Sequence, residues 1–210
     1  EAGGASYSLF PRTFTLASYR FFFDYSIYSV RWILNSLIVA SSVTVCNVIF
    51  ASLAGYAFAK LRFPGCNFFF FMLLVAMMIP YQVTQVPLYI LMANTLHLQD
   101  TYVALIAPTL VTCYNVFLAK QFFTSLPTSI IESAKIEGCS QPGIVMKIVM
   151  PLSKTILSVM AITTFRGEWD TFFWPFLICN TEKMQTIQVG LKNFSFANTT
   201  YFAPMMAGAT

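Results

Sequence analysis

Apolar residues fill four long stretches of this chain, and the polar residues collect between them. Residues 32 to about 59 carry no charge over 28 positions. At 1.5 Å per residue, a helix of that length crosses a hydrocarbon layer of about 30 Å with tilt to spare. Small residues recur within it (Ala40, Ser41, Ser42, Ala51, Ser52, Ala54 and Gly55), which suits close helix contacts. A second stretch begins near Asn67 and runs from 68 to 79, where Pro80 and then Pro87 interrupt it. Backbone broken at membrane depth is tolerated only inside protein or beside a cavity. A third stretch covers 102 to about 118, kinked or started by Pro108. A fourth runs from about Pro151 to 165 and continues through an aromatic end at 169–177. Residues 1–31 read as an aqueous-side lead-in, 60–65 as a tight basic turn, and 180–200 as a polar loop. Residues 201–210 are apolar and small, the start of a fifth span. The pattern predicts one all-α, polytopic membrane domain over 1–210.

Composition agrees with that class. The chain is 57% apolar and 10% charged, where an ordinary soluble domain is roughly 25% charged. With 22 Phe among its 210 residues, a soluble fold could not hide the apolar surface. The net charge of +4 comes from scattered basic residues with no run that would track a phosphate backbone, so no nucleic-acid partner is expected. The five cysteines (46, 66, 113, 139, 179) form no C-x-x-C and no metal spacing with the single His97, so no metal site is expected. His97 itself reads as a loop or interface residue. Residues 1–20 lack the apolar core of a signal peptide.

The polar segment at 125–150 has more order than a tether needs. Ser129 is placed to cap a helix and Glu132, three residues on, to reach back to it. Gly138 is placed to end that helix in the left-handed conformation. Ile130, Ile131 and Ala134 are spaced to share an apolar face. Ile148 and Pro151 mark the return to apolar sequence, with Pro151 expected to stiffen the exit.

Glu132, Ser133 and Ala134, then Gly138 after three residues, then Ile148 and Pro151 after nine more, resemble the EAA loop of ABC-importer permeases. Ser133 stands for the usual middle alanine, Met150 for leucine and Glu137 for the usual Asp. Other segments are similar to the maltose-type, sugar-transport branch: Asn35-Ser36, the 54–65 turn, Ile79-Pro80 through Pro87-Leu88-Tyr89, 98–102, and Trp169-Asp170 through Trp174-Pro175. The resemblance implies the type I importer transmembrane fold, with about five of six helices in this chain. It implies that Ser129, Ile130, Ile131, Glu132, Ser133, Ala134, Lys135, Glu137, Gly138, Ile148 and Pro151 couple to an ATPase. It further implies a homologous second permease subunit, two ATP-binding subunits and an extracytoplasmic solute-binding protein, in a bacterial or archaeal inner or plasma membrane. No cofactor is expected in this chain, since ATP and Mg would be bound by the partner ATPase. The sequence has no phosphate-cradling G-x-x-x-x-G-K-[ST] loop and no catalytic constellation. Orientation rests on the resemblance alone, because the Lys and Arg of the two sides tie at six each. The 1–31 and 180–200 segments are then extracytoplasmic and 125–150 cytoplasmic.

A candidate substrate path comes from polar groups set among aromatics. Tyr81, Gln82, Thr84, Gln85 and Tyr89 follow the Pro80 break. Glu168, Trp169, Asp170, Phe172 and Trp174 lie near the end of the fourth span, where Arg166 and Asp170 are spaced to pair. Charges at membrane depth face a cavity, a partner or the aqueous boundary. The alternatives are an interfacial aromatic belt with a local ion pair and a plain proline kink. In the 180–200 loop, Asn180, Gln185, Gln188, Asn193 and Asn198 suit contact with a binding protein or an inert connector. Rival readings are the same importer for a glycerol phosphate or uronate oligomer, and an ion-coupled secondary carrier, against which no inverted repeat is visible.

Overall fold

The computed structural model describes residues 16–194 and 202–209, and among these no strand occurs. The long first span is α2 (Ser29–Lys60), preceded by a short helix, α1 (Ala17–Tyr25), within the predicted lead-in. Along α2 the buried residues fall three and four apart: Trp32, Asn35, Ser36, Val39, Ala40, Val43 and Asn47. Its other face, with Leu34, Leu37, Ile38 and Val45, is exposed and equally apolar. A helix that is apolar all round belongs in lipid or in a large core.

After the 61–65 turn come α3 (Cys66–Met78), α4 (Tyr81–Tyr89) and a wider π turn (Ile90–Thr95). The two halves of this second stretch meet at 92° across Pro80. Pro80 thus breaks the span as expected, but Pro87 does not. It sits inside α4, and the ladder widens into the π turn just beyond it. Tyr81, Gln82, Thr84, Gln85 and Tyr89 therefore stand on a regular helix rather than on irregular backbone.

The third stretch is α5 (Tyr102–Ile106), a 3₁₀ turn at Ala107–Thr109 and α6 (Cys113–Thr124), bent by 42°. Pro108 marks that bend, and the helix runs six residues past the expected end at 118. The connecting segment holds α7 (Thr128–Ile136) and α8 (Gln141–Ile144), the latter continuing through a π turn into α9 (Met150–Leu152). The fourth span, α10 (Lys154–Asp170), starts beyond Pro151, and the chain turns by 87° at Ser153. Pro151 lies just after the π turn, near the end of the continuous helical stretch 141–152, and the joint falls two residues beyond it at Ser153. Thr171 then takes an extended backbone and separates α10 from α11 (Phe173–Ile178). The chain proceeds through α12 (Ile187–Lys192) to α13 (Phe202–Ala209), the expected start of a fifth span.

The bundle centres on α2, with α6 and α10 packed along it. A Cβ on Gly55 would lie 2.5 Å from Ala119 Cβ, so only glycine lets α2 and α6 approach this closely. At mid-bundle the helices meet through polar groups. Asn115 Nδ2 donates to Asn47 Oδ1 (2.7 Å) and to Thr164 Oγ1 (2.8 Å), and Asn47 Nδ2 donates to the Thr109 carbonyl (3.2 Å). These bonds join α2, α6 and α10; the Asn115–Asn47 bond is buried, where a lost partner is costly, while Asn115 Oδ1 has no partner.

Candidate functional site

The candidate coupling loop folds locally as a helix gripped at both ends. Pro127, at φ −58°, opens α7, and Thr128 is already helical. Ser129 is therefore inside the first turn and makes no cap, contrary to expectation. The proline ring has pre-set the start one residue earlier. The other end matches the sequence reading. Gly138 has φ +81°, its N–H donates to the Lys135 carbonyl (3.0 Å), and Cys139 N–H donates to that of Ala134 (3.0 Å). That bond pair satisfies the last carbonyls of the helix. Two residues at the foot of α2 hold the flanks: Lys60 Nζ donates to the Leu126 carbonyl (2.6 Å), and the Tyr56 hydroxyl to Gln141 Oε1 (3.1 Å).

The apolar face predicted for α7 is divided. Ile131 and Ala134 are buried in the chain's own core with Phe123, Ile144, Val145 and Val149. Ile130 lies about 100° round the helix from Ile131 and is 40% exposed, while Ile136 is 87% exposed. The outward surface of α7 thus carries Ile130, Ile136, Ser129, Glu132, Ser133, Lys135 and Glu137. Ile148 is half-buried and Pro151 exposed. A Cβ on Gly138 would meet nothing within 4 Å.

The predicted substrate residues separate into one group that converges and one that does not. Tyr81, Gln85, Glu168 and Trp174 line one cavity of about 350 Å³, with Thr84, Thr109 and Thr171 among its other walls. Trp174 is fixed there by donating from Nε1 to the Ala104 carbonyl (2.9 Å). Gln85 is 7% exposed and its Oε1 has no hydrogen-bond partner. Glu168 also lines a second cavity, of about 300 Å³, with Asn115, Thr112, Thr163 and Thr164. Asp170 is not part of this group. Glu168 is two residues from both Arg166 and Asp170, about 200° round the helix. Arg166 Nε and Asp170 Oδ2 pair at 3.5 Å on the exposed side. Trp169 stacks on Phe165 (6.0 Å between centroids) and packs against the Trp32 cluster, and Phe172 stacks on Phe176 (5.3 Å). Tyr89 Oη accepts from Gln99 Nε2 (3.0 Å), and Gln82 is exposed outside the cavity lining. Thr109, Thr171 and Asn115 were not legible as site residues, because they arrive through the bends at Pro108 and Thr171 rather than through local sequence.

The segment predicted as a polar loop at 180–200 is folded over its described part. Trp32 Nε1 donates to the Glu182 carbonyl (2.8 Å). Asn35 Nδ2 donates to the carbonyls of Lys183 (3.0 Å) and Gln185 (2.9 Å), and Asn35 Oδ1 accepts from the Tyr102 hydroxyl (2.6 Å). Ser36 Oγ accepts from Ile187 N (2.9 Å), and Asp100 Oδ1 accepts from the Asn180 and Thr181 amides (2.8 and 2.9 Å). Ile187, Leu191 and Phe194 are buried with Phe22 and Trp32. Of the polar residues expected to face outward, Gln185 and Asn193 are half-buried and bonded to each other (3.4 Å). Gln188 is half-buried and Asn180 exposed. Asn198 lies outside the described residues.

Residues 47–210 match the family described as "binding-protein-dependent transport system inner membrane component". The chain belongs to that family. It is 35% identical over 181 residues to the arabinooligosaccharides transport system permease protein AraQ of Halalkalibacterium halodurans, covering 86% of this chain and 64% of that protein. To AraQ of Bacillus subtilis it is 32% identical over 190 residues, covering 90% and 67%. To the sn-glycerol-3-phosphate transport system permease protein UgpE of Escherichia coli it is 35% identical over 162 residues, covering 77% and 57%. The chain thus spans 57 to 67% of the length of these curated relatives. A crystal structure of a bacterial ABC transporter involved in the import of the acidic polysaccharide alginate superposes with a TM-score of 0.79, at 21% identity, over 92% of this chain and 71% of that one. At that identity the likeness shows the fold: the all-α transmembrane domain of an ABC importer.

Proposed function

We propose that this chain is a multi-pass permease subunit of an ATP-driven, binding-protein-dependent importer for a carbohydrate, in a bacterial or archaeal inner membrane. The observation that carries the coupling role is the outer face of α7. Ile130 and Ile136 are uncovered there, among Glu132, Lys135 and Glu137, while the helix itself is held rigidly from behind. An apolar and charged helix face on a fixed mount suits a cleft in a partner protein. Hydrolysis of ATP, with its Mg, belongs to two such partner subunits, and this chain performs no catalysis. A homologous permease completes the path, and a solute-binding protein delivers from the side of the 180–193 segment.

Closure of the ATPase pair moves α7, and α8 and α9 transmit that movement to α10 through the joint at Ser153. Coupling of this kind needs a physically continuous element with two arrangements. The likeness to UgpE favours a second reading, the same importer carrying a phosphorylated solute. The test is uptake by membrane vesicles carrying the full complex. Uptake driven by ATP and indifferent to an uncoupler is expected; uptake that survives ATP depletion and collapses with the uncoupler would make the protein an ion-coupled carrier. In parallel, Ile136→Asp is expected to cut the amount of ATPase subunit copurifying with the permease several-fold.

A further inference from the structure

We infer that the two cavities meeting at Glu168 form a path for an uncharged, hydroxyl-rich solute, and that Glu168 is a specificity-determining residue that disfavours anionic ones. This rests on the importer reading above and narrows its solute. The wall chemistry carries the argument. Around the first cavity stand Tyr81, Thr84, Thr109, Thr171, Gln85 and the Glu168 carboxyl; around the second, Thr112, Asn115, Thr163 and Thr164 continue from the same carboxyl. The Thr84, Thr109, Thr163 and Thr171 hydroxyls already donate to backbone carbonyls, so toward a solute they accept, which matches the many hydroxyl donors of a polyol. Trp174 adds one aromatic wall for the apolar face of a sugar ring.

No Lys or Arg lines either cavity among the described residues. Phosphate and carboxylate groups are held by guanidinium, ammonium or clustered backbone N–H groups, and the group shared by these two walls is instead a carboxyl. The nearest guanidinium along the chain, Arg166, is on the far side of α10 and already paired with Asp170. Gln85 adds a separate observation. Its Oε1 is an acceptor without a partner in a residue that lines the first cavity and is 7% exposed. Buried acceptors are costly to leave unpaired. A solute hydroxyl can donate to Gln85 Oε1, whereas a phosphate or carboxylate oxygen can only confront it with a further acceptor.

The test reads the cavity directly and does not depend on identifying the solute. Thr84→Cys is introduced into the full complex, and its reaction with a cationic (trimethylammonium) and an anionic (sulfonate) methanethiosulfonate is measured above the level set by the five native cysteines. The ratio of cationic to anionic rates is expected to exceed that of a small free thiol by about tenfold or more. Adding the isosteric Glu168→Gln is expected to return it to the free-thiol value, and Glu168→Asp to restore it. A ratio equal to that of the free thiol, a ratio unmoved by Glu168→Gln, or no labelling at all would each overturn the inference. ATP-driven uptake of labelled arabinotriose and of glycerol 3-phosphate forms the second arm, with arabinotriose preferred and Glu168→Gln narrowing the preference. Preference for glycerol 3-phosphate with ATP would sink the uncharged-solute inference and leave the importer standing. Uptake of either probe without ATP would sink the importer and leave the labelling ratio to decide the cavity.

Discussion

The two ends of α2 solve opposite problems. At its start, Trp32, Asn35 and Ser36 bond the 182–187 backbone, and Ile187, Leu191 and Phe194 close over the indole. The Trp32 and Asn35 donors have acceptors there and the Trp32, Ile187 and Phe194 side chains have cover, although Arg31 Nε and Thr186 Oγ1 are buried without partners. At its foot, Tyr56 and Lys60 hold only the flanks of α7, and the helix turns Ile130 and Ile136 outward with nothing over them. The first end is tied together within a single chain, beside a cavity of about 620 Å³ walled by Trp32, Glu182 and Gln185. The second is complete only as a mounting. Stability is therefore concentrated at one end and recognition at the other, and substitutions should separate the two.

The largest expected effect is at the closed end. Trp32→Ala removes a fully buried indole and should cost about 3–5 kcal/mol, seen as a fall in melting temperature of the detergent-solubilised protein on the order of 10 °C. Next comes Asn35→Leu, which strips the partners from the carbonyls of Lys183 and Gln185 and from the Tyr102 hydroxyl. It should cost about 2–3 kcal/mol and speed tryptic cleavage after Lys183 and Lys192. At the open end, Gly138→Val meets no clash but must adopt φ +81°. It should cost about 1–2 kcal/mol and lower both ATPase retention and transport. The smallest stability effect belongs to Ile136→Ser. Melting should shift by less than about 0.5 kcal/mol equivalent, while copurified ATPase falls several-fold. A large loss of stability from Ile136→Ser, or normal ATPase retention in it, would break the contrast between the two ends.

How much of this was legible depended on whether the cause was local. Pro80, Pro108 and Gly138 act through their own φ or missing N–H, and each produced the bend or stop expected of it. Ser129 misled because Pro127, two residues earlier, had already set the helix start. The 180–194 segment misled because its side chains look polar in sequence. The decisive groups were Asn35, Ser36 and Trp32, about 150 residues away, which bond its backbone rather than its side chains. The substrate set divided for a geometric reason. Glu168 and Asp170 are neighbours in sequence but face opposite sides of one helix, and periodicity marks that difference only once the cavity side is known. Gly190 shows the same limit: a Cβ there would fall inside the Trp32 indole, yet the sequence presents only a glycine among apolar residues.

The amide pair of Asn47 and Asn115, with Thr164 beyond it, sets a toll on any rocking of α10. Tilting that helix against α2 and α6 must uncouple dipoles packed between three helices at the wall of the second cavity. Tilts that break both Asn115 bonds are then the poorest states, and the bundle favours a snap between bonded postures over a gradual slide.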